Sequence, residues 1–219
     1  ADTLRKPPET RTGLIWRNDG LHKVTDSVAH ILTKDLRVHD PENLEIIRML
    51  LEKKKRVALV SKHEAHLDAV AVDQSLEQAG YDDLATLVFH IFGIRLEEGI
   101  VSSWFADSQS RIRIWPPFDV PETDDEKALK ELLGETSVEA ARDALDMGLL
   151  INIFPEGTRE GKTQEMTKPI GATVNFFDEI GVDYILPVAI DGTQNILPRG
   201  KWPRCGSYDV TFCEPIDYH

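Results

Sequence analysis

The 219-residue sequence predicts an α/β domain: a mostly parallel central sheet with helices on both faces. Three observations predict it. Val57–Ser61 and residues 149–154 are short, largely apolar runs, as expected of strands buried on both faces. Stretches with apolar residues at helical spacing separate such runs. Neither an internal repeat nor a linker interrupts the alternation.

Residues 1–23 are mixed and slightly basic, carry Pro7-Pro8 and read as an N-terminal arm; residues 24–219 form the domain. Val28, Ile31, Leu32 and Leu36 recur at helical spacing and predict a helix over 24–36, with Asp26 or Ser27 as its cap. Pro41 opens a second helix facing inward through Leu44, Ile47, Leu50 and Leu51. Residues 66–78 are helical by spacing and stop at Gly80. Residues 84–89 and 111–115 read as strands, the latter ended by Pro116-Pro117. Helices are expected over 125–133 and 137–147, divided by Gly134, and over 169–180, begun by Pro169 and stopped by Gly181. Residues 184–190 and 208–212 complete the strands.

Composition narrows the function classes. Lys plus Arg number 25 against 38 Asp plus Glu, a formal net charge of -13, which disfavours nucleic acid as a partner. Residues 121–147 hold nine acids against three bases and read as a solvated helical surface. Bases gather at Lys53 to Arg56, at Arg111 with Arg113, and at Arg159 with Lys162 and Lys168. Cys205 and Cys213 read as reduced thiols of a cytosolic protein. No apolar run reaches the length of a membrane span, and no signal-peptide pattern is visible.

Two constellations carry chemistry. The first is Ser61-Lys62-His63-Glu64-Ala65-His66-Leu67-Asp68, directly after a buried strand, where open α/β sheets place their ligands. Five positions leave His63 and Asp68 about 140° apart around a continuous helix. They meet if His63 lies in the turn before the helix and folds back over its first residues. Asp68 then accepts a proton from one ring nitrogen and leaves the other basic. The same run is open to two other readings: polar residues at a helix start, or metal ligation by His63, His66 and Asp68. The remaining histidines (22, 30, 39, 90 and 219) show no partner cluster in the sequence.

The second is Phe154-Pro155-Glu156-Gly157-Thr158-Arg159, again at the exit of a buried strand. Arg159 presents a fork suited to phosphate, Gly157 permits close approach of backbone to a ligand, and Glu156 stands beside both. A strand-ending turn is the plainer alternative. Charged residues placed there either face a cleft or meet a desolvation cost of several kcal/mol.

Together these motifs resemble the glycerophospholipid acyltransferase family, which includes glycerol-3-phosphate and 1-acylglycerol-3-phosphate acyltransferases. The match rests on His63 to Asp68 and the intact Phe154 to Arg159 block. Leu186-Pro187-Val188 is similar to the family's fourth motif, and Val210 to Ile216 to its closing segment, with Cys213 where Gly is common. Lys62 stands where the family usually has Asn, and Ala65 replaces a frequent Ser. The second motif is altered: Ser110 to Pro116 puts Pro where an acceptor-binding Arg is usual, with Arg111 and Arg113 as substitutes on one strand face.

The resemblance implies an O-acyltransferase of phospholipid biosynthesis. An acyl group would pass from acyl-CoA or an acyl carrier protein to a hydroxyl of glycerol 3-phosphate or a lysophospholipid. No cofactor and no covalent acyl-enzyme would be needed. It implies His63 as general base, Asp68 as its partner, and Glu156, Gly157, Thr158 and Arg159, with Arg111 or Arg113, as substrate-binding residues. Lys53 to Arg56 is the candidate patch for an acidic carrier protein. Peripheral contact with the inner face of a membrane is expected through Leu14, Ile15 and Trp16 with Arg11 and Arg17, or through Ile100, Val101, Trp104 and Phe105; core packing is the alternative for either cluster. Two further classes remain: a metal-dependent hydrolase using His63, His66 and Asp68, and a non-catalytic lipid-binding relative.

Overall fold

The computed structural model describes residues 13–156, 171–197 and 202–218. In chain order the elements are β1 (Leu14–Ile15), α1 (Asp19–Leu32), β2 (Thr33–His39), α2 (Asn43–Glu52), β3 (Val57–Ser61) and α3 (Asp68–Gln78). Then come α4 (Asp82–Ala85), β4 (Val88–Gly93), a 3-10 turn (Ile94–Glu97), α5 (Ile100–Asp107), β5 (Arg111–Ile114) and α6 (Asp124–Asp146). The chain closes through β6 (Leu150–Ile153), α7 (Gly171–Ile180), β7 (Tyr184–Asp191), α8 (Thr193–Ile196), β8 (Gly206–Phe212) and β9 (Ile216–Asp217).

The strands form one sheet in the order β1-β5-β4-β6-β3-β7-β8-β2, with β9 pairing β7. Pairing is parallel from β5 through β7 and between β8 and β2. It is antiparallel where β1 meets β5 and where β7 meets β8 and β9. Connections running one way across the sheet, β3 to β4 and β4 to β5, carry α3 and α5. Those running back, β5 to β6 and β6 to β7, carry α6 and α7 on the opposite face, as right-handed crossovers require.

Strand alternation divides the core accordingly. Val57, Leu59, Leu186 and Val188 pack with α2 and α3 through Leu44, Ile47 and Val70. Ala58, Ile151 and Ile153 pack with α6 and α7 through Ala140, Ala144 and Phe177. The expected α/β sheet, covered on both faces, is the observed fold.

Several boundaries differ from expectation. The arm ends earlier than residue 23: Leu14 is buried against β5 and α1 begins at Asp19, capped by the Asn18 side chain rather than by Asp26 or Ser27. The helix also stops sooner, because residues 33–39 pair with β8 as a strand. Residues 82–85 form a helical turn, and the strand expected at 84 begins at Val88. Gly134 does not divide α6, which runs 23 residues from a Thr123–Glu126 capping box. Pro169, the expected start of α7, lies outside the described residues. No helix among those described is long and apolar enough to cross a membrane, and both cysteines are free thiols.

Candidate active site

Ser61 ends β3, and the chain turns through Lys62 to Leu67 before α3 begins at Asp68. The turn lets His63 fold back. Its Nδ1 lies 2.8 Å from Asp68 Oδ2, which also accepts the backbone N–H groups of Glu64 (2.5 Å) and Ala65 (2.8 Å). With Nδ1–H donated to the carboxylate, Nε2 is the ring's acceptor nitrogen. The Ala65 contribution is a main-chain one, so it does not depend on the side chain at 65. Asp68 Oδ1 accepts the Thr193 hydroxyl at 2.5 Å. Asp68 is wholly buried, while the His63 side chain keeps 19% exposure.

Parallel pairing brings in the second motif. Val60 is in register with Ile153, so the exits of β3 and β6 lie side by side, and the Phe154 ring stacks on His63 at 4.3 Å between centroids. Glu156 follows and is buried. Gly157, Thr158 and Arg159 lie outside the described residues, as do Lys162 and Lys168. Lys62 forms an ion pair with Glu64 at 2.7 Å.

His63 and Phe154 border a cavity of about 760 Å3. It opens off the C-terminal ends of β3, β4, β5 and β6, where Gly93, Ile114 and Ile153 line it beside Phe105 of α5, Leu133 of α6 and Phe176 of α7. Most of this wall is hydrocarbon. Gly134 also faces the space, and a Cβ added there would meet nothing within 4 Å. A glycine inside a helix costs about 1 kcal/mol relative to alanine.

One wall is held by charge. Arg95 bonds Glu98 (2.6 Å), Asp119 (2.9 Å) and Glu126 (2.9 Å), and its guanidinium lies 5.1 Å over the Trp115 ring. Bonds to Glu98, Asp119 and Glu126 hold the guanidinium above its ordinary value. The Glu122 amide, then Arg95, hold the Glu126 carboxyl below the usual carboxylate range. Three chain segments are thereby tied along the edge of the cavity.

Other expected site residues are placed elsewhere. Arg111 and Arg113 do share a strand face, but both turn to Glu97, at 3.0 and 3.5 Å, and neither lines the cavity. Arg111 is buried and also bonds Asp107 and the Ala106 carbonyl. Two carboxylates already take the Arg111 fork, whereas Arg113 stays half exposed beside Glu97. Lys53 to Arg56 precedes β3, at the opposite end of that strand from His63. Within it Lys55 pairs with Asp183, and Arg56 with Asp146.

Among the expected membrane contacts, Leu14 is core and Trp16 packs edge-on against Phe89 at 4.8 Å. Phe105 packs against the core and lines the cavity, while Trp104 is partly buried. Arg11 and the side chains of Ile100 and Val101 lie outside what is described.

Sequence reasoning missed two contributors. Thr193 sits 125 positions from the carboxylate it touches; its only local signal is a Gly-Thr pair after a buried strand. His90 has a partner after all. Its Nε2 donates to Asp73 Oδ1 at 3.2 Å, and Asn152 donates to its Nδ1 at 3.0 Å while accepting from the Ser61 hydroxyl at 2.6 Å.

No family model matches this chain, and a search of curated proteins finds no match.

Proposed function

We propose that the protein is an O-acyltransferase that moves a fatty acyl group from a thioester, acyl-CoA or acyl carrier protein, to a hydroxyl of glycerol 3-phosphate or a lysophospholipid. The observation that carries this reading is an Asp-held imidazole at the edge of a large, mainly apolar cavity. A general base held in one tautomer typically contributes 10²–10⁴-fold in rate. A cavity of about 760 Å3 falls within the range of ligand pockets and suits an alkyl chain more than a charged substrate.

In the proposed reaction His63 Nε2 takes the proton of the acceptor hydroxyl as its oxygen attacks the thioester carbonyl. Asp68 stabilises the resulting imidazolium. Collapse of the tetrahedral intermediate breaks the carbon–sulfur bond, and the imidazolium returns its proton to the departing thiolate. Neither cysteine takes part. The acceptor phosphate is assigned to Arg159, and oxyanion donors to the backbone near Gly157, on resemblance alone.

The metal-hydrolase alternative fits less well. Asp68 Oδ2 already takes three hydrogens and Oδ1 a fourth, and Nδ1 of His63 is engaged. Two of the expected ligand groups are thus already committed, where a catalytic zinc needs about three from protein. Among the described residues no group of three His, Cys, Asp or Glu has the arrangement to hold a metal ion.

Thioester consumption, followed by release of free thiol with glycerol 3-phosphate and lysophosphatidate in parallel, tests the proposal. Acceptor-dependent release supports it and identifies the acceptor. Binding of lysophosphatidate without release would instead support a non-catalytic lipid-binding protein.

A further inference from the structure

Four donors meet the Asp68 carboxylate, and three of them come from the adjoining residues 63–65 and converge on Oδ2. The fourth, the Thr193 hydroxyl, arrives from the turn after β7 and is the donor to Oδ1 among the described residues. Both side chains are wholly buried, so no bulk water can take the place of that hydroxyl. Carboxylate torsions are soft and roughly two-fold. A carboxylate bonded through one oxygen can pivot or exchange its oxygens; one gripped at both cannot.

We propose that Thr193 is a positioning residue for His63, locking the rotation of Asp68 so that the imidazole keeps one orientation and one tautomer. The expected effect on rate rests on the acyl-transfer reading. The expected effect on the ring does not.

The turn that carries Thr193 is itself braced. Gly192 has φ +107°, a left-handed conformation that side chains rarely adopt, and a Cβ there would lie 2.7 Å from the Ser207 carbonyl oxygen and 3.1 Å from the Tyr208 Cα. Only glycine lets this turn press against β8. Its N–H points to Gln194 Oε1 at 3.0 Å and to Glu64 Oε2 at 3.4 Å. The turn therefore touches the His63 segment at two places. Orientation passes from β8 through Gly192 and Thr193 to Asp68, and from there to the ring.

A graded series tests this. Thr193→Ser keeps the hydroxyl, Thr193→Cys offers a weak donor, and Thr193→Val keeps the shape without one. The readouts are kcat and KM for thioester consumption and the His63 imidazole nitrogen signals in 15N NMR, assigned by their loss in His63→Gln. Ser should resemble the wild type. Val should lower kcat by roughly tenfold, part of the 10²–10⁴-fold that an oriented general base contributes, with KM within about twofold. Its ring signals should shift towards a mixture of tautomers, and Cys should fall between the two.

Wild-type ring signals in Thr193→Val would overturn the proposal. So would an order of effects that follows side-chain volume rather than donor strength. Should Val fail to fold, comparison of Ser with Cys still decides. If the wild-type protein consumes no thioester with either acceptor, the acyltransferase reading fails, while the ring signals still test the positioning.

Discussion

The protein contains two His–Asp pairs of similar geometry, set in different surroundings. His63 and Asp68 meet at 2.8 Å, and His90 and Asp73 at 3.2 Å. Both histidines follow or occupy central strands, and both aspartates lie on α3. The first ring retains 19% exposure, stacks on Phe154 and borders the cavity. The second is entirely enclosed, and each of its nitrogens is taken, Nδ1 by Asn152 and Nε2 by Asp73. Such a pair can serve as a general base only where one nitrogen is left to accept a proton and faces space that a substrate can enter. Closed off, the same chemistry is a cross-link: Ser61, Asn152, His90 and Asp73 join β3, β6, β4 and α3 through satisfied buried polar groups.

Opposite substitutions should separate the two pairs. The largest effect is expected from His63→Ala: thioester consumption falls by about 10³-fold or more, while the urea midpoint hardly moves. Activity retained in that variant would remove the distinction altogether. His90→Ala should do the reverse. It leaves Asp73 and Asn152 buried without their partner and should cost about 3 kcal/mol in urea unfolding. The kcat of the folded fraction should remain within about threefold; a loss matching that of His63→Ala would give the buried pair a direct role.

Gly134→Leu sharpens the role of the cavity. Leucine should stabilise α6 by somewhat under 1 kcal/mol, yet it projects into the space beside His63. KM for a long-chain thioester should rise roughly tenfold and that for a short-chain one little, since pocket volume discriminates on about this scale. Equal effects on both chains would separate the cavity from the acyl group.

The smallest effect concerns the wall held by Arg95. Glu126 is depressed below its ordinary value of 4.5 in the folded state. Its contribution is therefore complete above that pH and is lost as pH falls through the lower folded value. Glu126→Gln should lower the melting temperature slightly at pH 7, and the difference should vanish in the acid range. A difference that persists there would trace it to packing rather than charge.

The two pairs also differ in how far they can be read along the chain. His63 and Asp68 are five residues apart after an apolar run, and that spacing alone suggests a folded-back turn. His90 and Asp73 are 17 apart, with strand and helix between them, and Thr193 is 125 from its partner. The same limit explains the missed β2. Leu36 continues the helical spacing of Ile31 and Leu32, but it also alternates with Val38, and its pairing with Tyr208 of β8 decides between the two readings. At Gly134 the intrinsic cost of glycine favoured a break, and the burial of Leu133, Ala140 and Ala144 outweighed it. The pairing of Arg111 with Arg113 on one face was legible. That Glu97 lies between both was not, because it comes from a separate turn.

Local order in the chain was enough to establish the α/β class, the main buried strands and the His63–Asp68 turn, since each depends on periodicity or on contacts a few residues apart. Folding in three dimensions determined which histidine meets open space, which arginines are already taken by carboxylates, and which hydroxyl braces Asp68. Those outcomes depend on strand order and side-chain burial, and neighbours brought together over a hundred positions leave no period in the chain to read.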